Sequence, residues 1–239
     1  MIPLRDNIPH RHPPLMTWLI ILANGLAFAF ELSLSPSELK ELFFAFGIVP
    51  DHFFHPEGFS PVAVPLVGLW ALLSSMFLHG GWLHIIGNMW FLYLFGDNVE
   101  DRMGHLRFAA FYLIGGLTAG AVHCWTNPHS TLPTIGASGA IAAVMGAYLV
   151  MYPRARVITL IPIFFYPLFI EIPAVVFLLF WFLTQILSGG LALVESGNFG
   201  GIAWWAHIGG FLAGMLLQFV FVRSKEPHRF YFETEHHPW

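Results

Sequence analysis

Long apolar runs separated by short polar stretches dominate the chain, at residues 15–34, 81–96, 108–125, 138–152, 167–187 and 202–222. Runs of this length with almost no charge mark helices that satisfy their own backbone hydrogen bonds in hydrocarbon. The pattern predicts an all-α polytopic membrane protein, a bundle of six transmembrane helices. The second and fourth runs fall short of the ~20 residues that a full span needs.

Residues 35–80, between the first two runs, are too many for a turn and too apolar for a flexible linker. Ser37 is the expected N-cap of a short amphipathic helix, with apolar residues at helical spacing through Phe44, resting on the outer leaflet. Pro50, Pro56, Pro61 and Pro65 are expected to break the remainder of this stretch into irregular structure. The polar tail 223–239, with His228, His236 and His237, is expected to be a disordered, solvated end. No internal repeat is visible. The organisation expected is a cytoplasmic segment at 1–14, one integral-membrane domain at 15–222 and a cytoplasmic tail at 223–239, with frayed ends.

Charge tests this arrangement. With the N-terminus in the cytoplasm, Arg5, Arg11, Arg102, Arg107, Arg154, Arg156, Arg223, Lys225 and Arg229 all fall on the cytoplasmic side, and only Lys40 falls outside. That bias supports both the six-span count and the orientation. The first 14 residues carry Pro, Arg and His rather than a short apolar stretch with a cleavage site, so the first run reads as a retained anchor and not a signal peptide.

Composition agrees and narrows the function. Charged residues make up 10% of the chain, against roughly a quarter in soluble domains, and hydrophobic residues 56%. No basic stripe with interleaved aromatics appears, so nucleic acid is set aside as a partner. The single cysteine, Cys124, excludes an intrachain disulfide and reads as a small buried hydrophobe.

Polar side chains kept inside apolar runs are costly and are candidates for function. The candidates are His84, Asn88, Ser138 and His207, with His79 just before the second run and His123 near the outer end of the third. His84 and Asn88 are four apart and share a helix face. Alone they read as a satisfied core histidine and interhelical glue; beside a serine and a second histidine they could donate to an oxyanion.

The fourth run carries the depth argument. Pro153 stops its helix, and the fifteen residues from Ser138 to Tyr152 make roughly 22 Å against a hydrocarbon core of about 30 Å. Arg154 and Arg156 anchor the cytoplasmic end, so Ser138 is expected below the outer surface at a helix N-terminus, where free N–H groups and the dipole favour negative charge. A lone serine there is ordinarily an N-cap; a partner would change the reading. His207 lies at a comparable depth in the sixth run, ahead of Gly210 and Gly214, and the face Gly139, Ala143, Gly146 offers a matching groove for close helix approach. Ser138 beside His207 would make a serine–histidine dyad. The only carboxylate read as well inside a span is Glu171, near the far end of the fifth run, so no acid is expected to orient His207.

These residues resemble the rhomboid intramembrane serine proteases. The resemblance rests on His79-xxxx-His84-xxx-Asn88, Gly136-Ala137-Ser138-Gly139, Ala206-His207-xx-Gly210-xxx-Gly214 and the loop Val99-Glu100-Asp101-Arg102-Met103-Gly104, in order across most of residues 68–214. It implies a six-helix rhomboid-like bundle, Ser138 as nucleophile, His207 as general base, and His84, Asn88 and the Ser138 amide as oxyanion donors. It also implies a long, partly helical first extracytoplasmic loop embedded beside the bundle, and a mobile fifth helix, with Pro167, Pro173, Phe177 and Trp181, where a substrate helix is admitted. Some members place a tyrosine one turn after the serine to pack on the histidine; this chain has Ala142, and Phe or Trp from a neighbouring helix is the expected replacement.

The expected function is cleavage of transmembrane proteins in or near the outer end of their helix, in the cell (inner) membrane, with no cofactor and no metal. The alternative is a catalytically silent rhomboid-like protein that binds membrane clients, although silent relatives typically lack the serine or the histidine. A transporter or metal-handling protein is prompted by 13 histidines, but no carboxylate or thiolate joins His79, His84 and His207. Lipid-facing and packing small residues look alike, which leaves the oligomeric state open.

Overall fold

The computed structural model describes residues 1–9, 11–55, 63–163, 166–194 and 203–223. Among these the order is β1 (Ile2–Asp6), α1 (Leu15–Glu31), α2 (Pro36–Phe46), α3 (Pro50–Phe54), α4 (Ala63–Ser74), a 3-10 turn (Ser75–Phe77), α5 (Trp82–Met103), α6 (His105–Thr126), α7 (Ser138–Met151), β2 (Arg156–Ile163), β3 (Tyr166–Pro173), α8 (Ala174–Val194) and α9 (Trp204–Phe221). The chain is mostly helical, as its apolar pattern predicts.

Among the described residues three stretches are long and apolar enough to cross a membrane: α6, residues 174–192 of α8, and α9. A fourth arises if α5 is joined to the end of α4 and the turn after it, the two parts meeting at 89°. Helices α1 and α7 are apolar but shorter. The outer faces of α5, α6, α8 and α9 are greasy: Leu83, Leu106, Leu191, Leu216 and Phe219 all stand outward, as a lipid-facing surface requires.

Helix α7 is the packing centre, buried at every residue from Gly139 to Leu149. Small residues make this possible. A Cβ on Gly210 would collide with the carbonyl of Gly139, and one on Gly214 with the carbonyl of Ala143. In the other direction, Gly146 faces the carbonyl of Phe211. The two grooves read from the sequence therefore lie against each other, backbone to backbone.

Several local expectations are corrected. Residues 167–173, read as the start of the fifth span, form β3, and the helix begins only at Ala174. Strands β1, β2 and β3 make a three-stranded antiparallel sheet in a chain predicted to be all helical. Glu171 is on β3, half-exposed and 3.5 Å from Arg156, and not in a span. The N-terminus is not frayed, because Ile2–Asp6 pairs with β2. Beneath it the Asp6 carboxylate accepts from Tyr148 Oη and, at 2.8 Å, from Asn98 Nδ2, tying the sheet to α5 and α7.

Helix α2 is present, but Ser35 caps it. Its Oγ accepts from the Glu38 amide while the Glu38 carboxylate accepts from the Ser35 amide at 2.8 Å, a reciprocal box. Pro50 opens α3, and Pro65 lies in the first turn of α4. Proline is tolerated there because first-turn N–H groups have no helical partner. Pro56, Pro61, Ile202 and the tail beyond Arg223 lie outside the described residues.

Candidate active site

Ser138 is the first residue of α7, and Ala137, which has no side-chain acceptor, occupies the cap position. The serine hydroxyl is therefore not consumed in capping. Gly136 sets up this start with φ +128°, a conformation side-chained residues rarely adopt, and its amide donates to Ser75 O at 2.8 Å. A Cβ at Gly136 would come within 2.7 Å of His84 Nε2, so the glycine also makes room for the histidine.

Ser138 Oγ is 2.8 Å from His207 Nε2, joining α7 to α9. On the other side of the ring, His207 Nδ1 is 2.7 Å from Gln185 Oε1 on α8. Gln185 is 5% exposed, and its Nε2 donates to Trp181 O at 3.1 Å and Thr184 Oγ1 at 2.9 Å. A carbonyl only accepts, so the glutamine NH2 must face Trp181 and its oxygen must face the imidazole. His207 Nδ1 then carries the proton, and the lone pair of Nε2 is left to accept from Ser138. The hydrogen-bond chain Trp181, Gln185, His207, Ser138 thus fixes the tautomer a general base needs.

Stacking surfaces also come from outside α7. Ala142 leaves no aromatic one turn after the serine, and the rings of Trp181 and Trp204 lie 5.8 and 6.3 Å from that of His207. Trp181, on the neighbouring helix α8, is the replacement expected, whereas Trp204 belongs to His207's own helix and meets the ring edge-on. Gln185 is not among the residues the sequence singles out. It lies within its apolar run as Asn88 does in another, and the cost of keeping a polar side chain there marks both alike.

His84 and Asn88 project from α5 into the same cavity of about 980 Å³ that Ser138 and His207 line. Asn88 Nδ2 donates to His79 Nε2 at 3.0 Å. The Gly80 amide donates to His84 Nδ1 at 3.4 Å, which leaves the His84 proton on Nε2 and makes that atom a donor. His79 is 1% exposed, its ring edge-on to His84 at 5.0 Å. Its backbone N–H donates to the buried carboxylate of Glu31 at 3.1 Å. His79 thus supports Asn88 and stands behind the cavity wall. Glu31, at the end of its apolar run, is a second buried polar group absent from the sequence-based candidates.

His123 serves the loop leading to Ser138. Its Nε2 pairs with Thr134 Oγ1 at 2.9 Å, while Thr134 and Ile48 exchange backbone bonds of 2.7 and 2.9 Å. Residues 127–137 are thereby pinned both to α6 and to the segment before α3. The cavity wall beside Ser138 is braced from two sides.

Fold and site together define a helical membrane protein with a serine–histidine pair at the start of a short central helix. The chain belongs to the rhomboid family, since the Rhomboid domain profile matches residues 67–224. RHOMBOID-like protein 5 of Arabidopsis thaliana is 34% identical over 151 residues, 63% of this chain and 43% of the relative. Rhomboid protein 1, mitochondrial, of Saccharomyces cerevisiae is 24% identical over 163 residues, 66% and 44%. Rhomboid-like protease 5 of Toxoplasma gondii is 28% identical over 172 residues, 67% and 17%. The matched region is less than half the length of each of these relatives.

Proposed function

We propose that this chain is an intramembrane serine endopeptidase that cleaves transmembrane proteins within or near the outer end of their membrane helix. The observation that carries the reading is the 2.8 Å contact between Ser138 Oγ and His207 Nε2. Ser138 Oγ attacks the scissile carbonyl carbon as its proton passes to His207 Nε2. The tetrahedral oxyanion is held by the Ser138 amide, the Nε2–H of His84 and the side-chain amide of Asn88. Collapse breaks the C–N bond, and His207 returns the proton to the leaving amine. Water, deprotonated by the same nitrogen, then releases the acyl group and restores the serine. Gln185 is a positioning residue that holds His207 in the productive tautomer.

The same proposal includes six spans within residues 15–222, with α1 and α7 as short ones, in the cell membrane. Both termini are cytoplasmic. Basic residues support the orientation: Arg156 comes after α7 at the end away from Ser138, and the Arg223 amide donates to Arg102 O at 3.1 Å. A substrate helix must unwind locally to present its carbonyl, so small or helix-weakening residues are expected at the cut.

The test is cleavage of a reporter transmembrane helix in proteoliposomes by the parent chain and by Ser138→Ala. Loss of cleavage and of labelling by a serine-directed fluorophosphonate in the variant is the expected result. Cleavage that survives the substitution refutes the mechanism. A parent chain that binds the reporter without cutting it points instead to a client-binding rhomboid.

A further inference from the structure

A second cluster of ligating side chains lies outside the serine–histidine site. Asp51 is in the first turn of α3, His55 caps its C-terminus four residues on, and His129 lies in the turn after α6. One ligand atom from each comes within 4.8 Å of the others. His55 Nδ1 is 2.8 Å from Asp51 Oδ1, and the rings of His55 and His129 stack at 5.2 Å. Nearly eighty residues of sequence separate Asp51 from His129. No spacing rule joins ligands so far apart, and the fold alone brings them together.

Backbone bonds hold these groups together independently of the side chains. The Asp51 amide donates to Ser130 O at 3.0 Å, and the Ile48–Thr134 exchange lies just beyond. Ordering the ligands therefore costs little extra on binding. Zinc bonds of ~2.0–2.2 Å to nitrogen and oxygen put neighbouring ligand atoms a little over 3 Å apart. Small side-chain rotations reach that spacing from the present one.

We propose that Asp51, His55 and His129 form a zinc-type metal site that clips α3 to the loop leading into Ser138. Two imidazoles and one carboxylate suit Zn2+, and also Ni2+ or Cu2+, whereas Ca2+ and Mg2+ require a shell of oxygens. Both histidines are exposed, which leaves coordination positions to water. The clip acts on residues 127–137, of which Ser130 and Thr134 line the cavity containing Ser138. Bound metal stiffens that wall.

The experiment uses the full chain in detergent, untagged and stripped with chelator. A His236→Ala/His237→Ala background silences the histidine tail. Isothermal titration with Zn2+ is expected to give one saturable site per chain and a higher melting temperature, with no response to Ca2+. His129→Asn and His55→Gln should each weaken binding at least ~10-fold, since even outer-shell partners cost that much. Asp51→Asn serves as a third variant, and metal-free melting curves report whether each folds. Unchanged affinity in all three variants overturns the site. So does the absence of saturable binding, which would leave Asp51 and His55 as a surface ion pair only. Ser138→Ala should bind Zn2+ like its parent, which separates this site from the serine–histidine pair.

Discussion

Replacing Gln185 by leucine tests the chain of hydrogen bonds behind the proposed base. Leucine fills a similar volume on α8 but removes the acceptor 2.7 Å from His207 Nδ1. A buried donor left without a partner costs about 1–3 kcal/mol. At 1.36 kcal/mol per decade, kcat should fall roughly 5- to 150-fold if the whole penalty bears on the productive tautomer. Gln185 does not line the cavity, so KM should stay put, because the loss falls on the chemical step and not on substrate contacts. Gln185→Glu keeps an acceptor at that position and should recover much of the rate. The assay is steady-state cleavage of a reporter helix in proteoliposomes, with Ser138→Ala as the zero. A leucine variant with kcat within twofold of the parent, or one that raises KM alone, refutes the positioning role.

Other parts of the molecule give three more expected outcomes. His84→Ala and Asn88→Ala should each lower kcat by up to about 10²–10³, the usual cost of an oxyanion donor, while Ser138 still reacts with a fluorophosphonate; full activity in both would remove them from the mechanism. Gly210→Ala and Gly214→Ala drive a methyl into the carbonyls of Gly139 and Ala143. Each should cost about 1–3 kcal/mol and lower the melting temperature in detergent, and an unchanged temperature would contradict the backbone contact. Burial pushes the Asp6 carboxyl up to about 7 from an ordinary 3.8, with the charge of Asp97 adding and the Tyr148 bond opposing. Between those values the folded chain holds more protons than the unfolded one, so stability falls as pH rises from about 4 to 7; Asp6→Asn should flatten that slope in a melting-temperature series.

The helical bundle and the serine–histidine contact were legible because each rests on a short-range rule. Pro153 limits α7, and glycine spacing on two runs predicts that they touch. The sheet was hidden for two reasons. Strands β2 and β3 are apolar, proline-containing and antiparallel, with Pro162 opposite Pro167, so β3 reads as the start of a span. The third strand is Ile2–Asp6, which meets β2 from the far end of the sequence. No periodicity reveals a partner at that distance. Gln185 stands out as a polar side chain in an apolar run, but an amide carries no sign of which helix it faces, so its partner His207 was hidden.

The position of Gln185 gives α8 a role that hydropathy alone would not assign. One side of this helix, including Val176, Phe180, Leu183 and Leu187, is exposed to lipid, while Phe177, Leu178, Trp181 and Phe182 pack on the core. The group that orients His207 is thus carried by a helix with only one packed face. A hydrogen bond of 2.7 Å that lengthens by ~1 Å is no longer a hydrogen bond. An outward movement of α8 by that much would release Nδ1. If substrate helices are admitted past α8, as the rhomboid resemblance implies, the proposed base would lose its tautomer control while the wall is open and regain it on closing. Water reaching an open cavity would then meet a serine without an ordered base, and the chemistry would wait for the substrate to be enclosed.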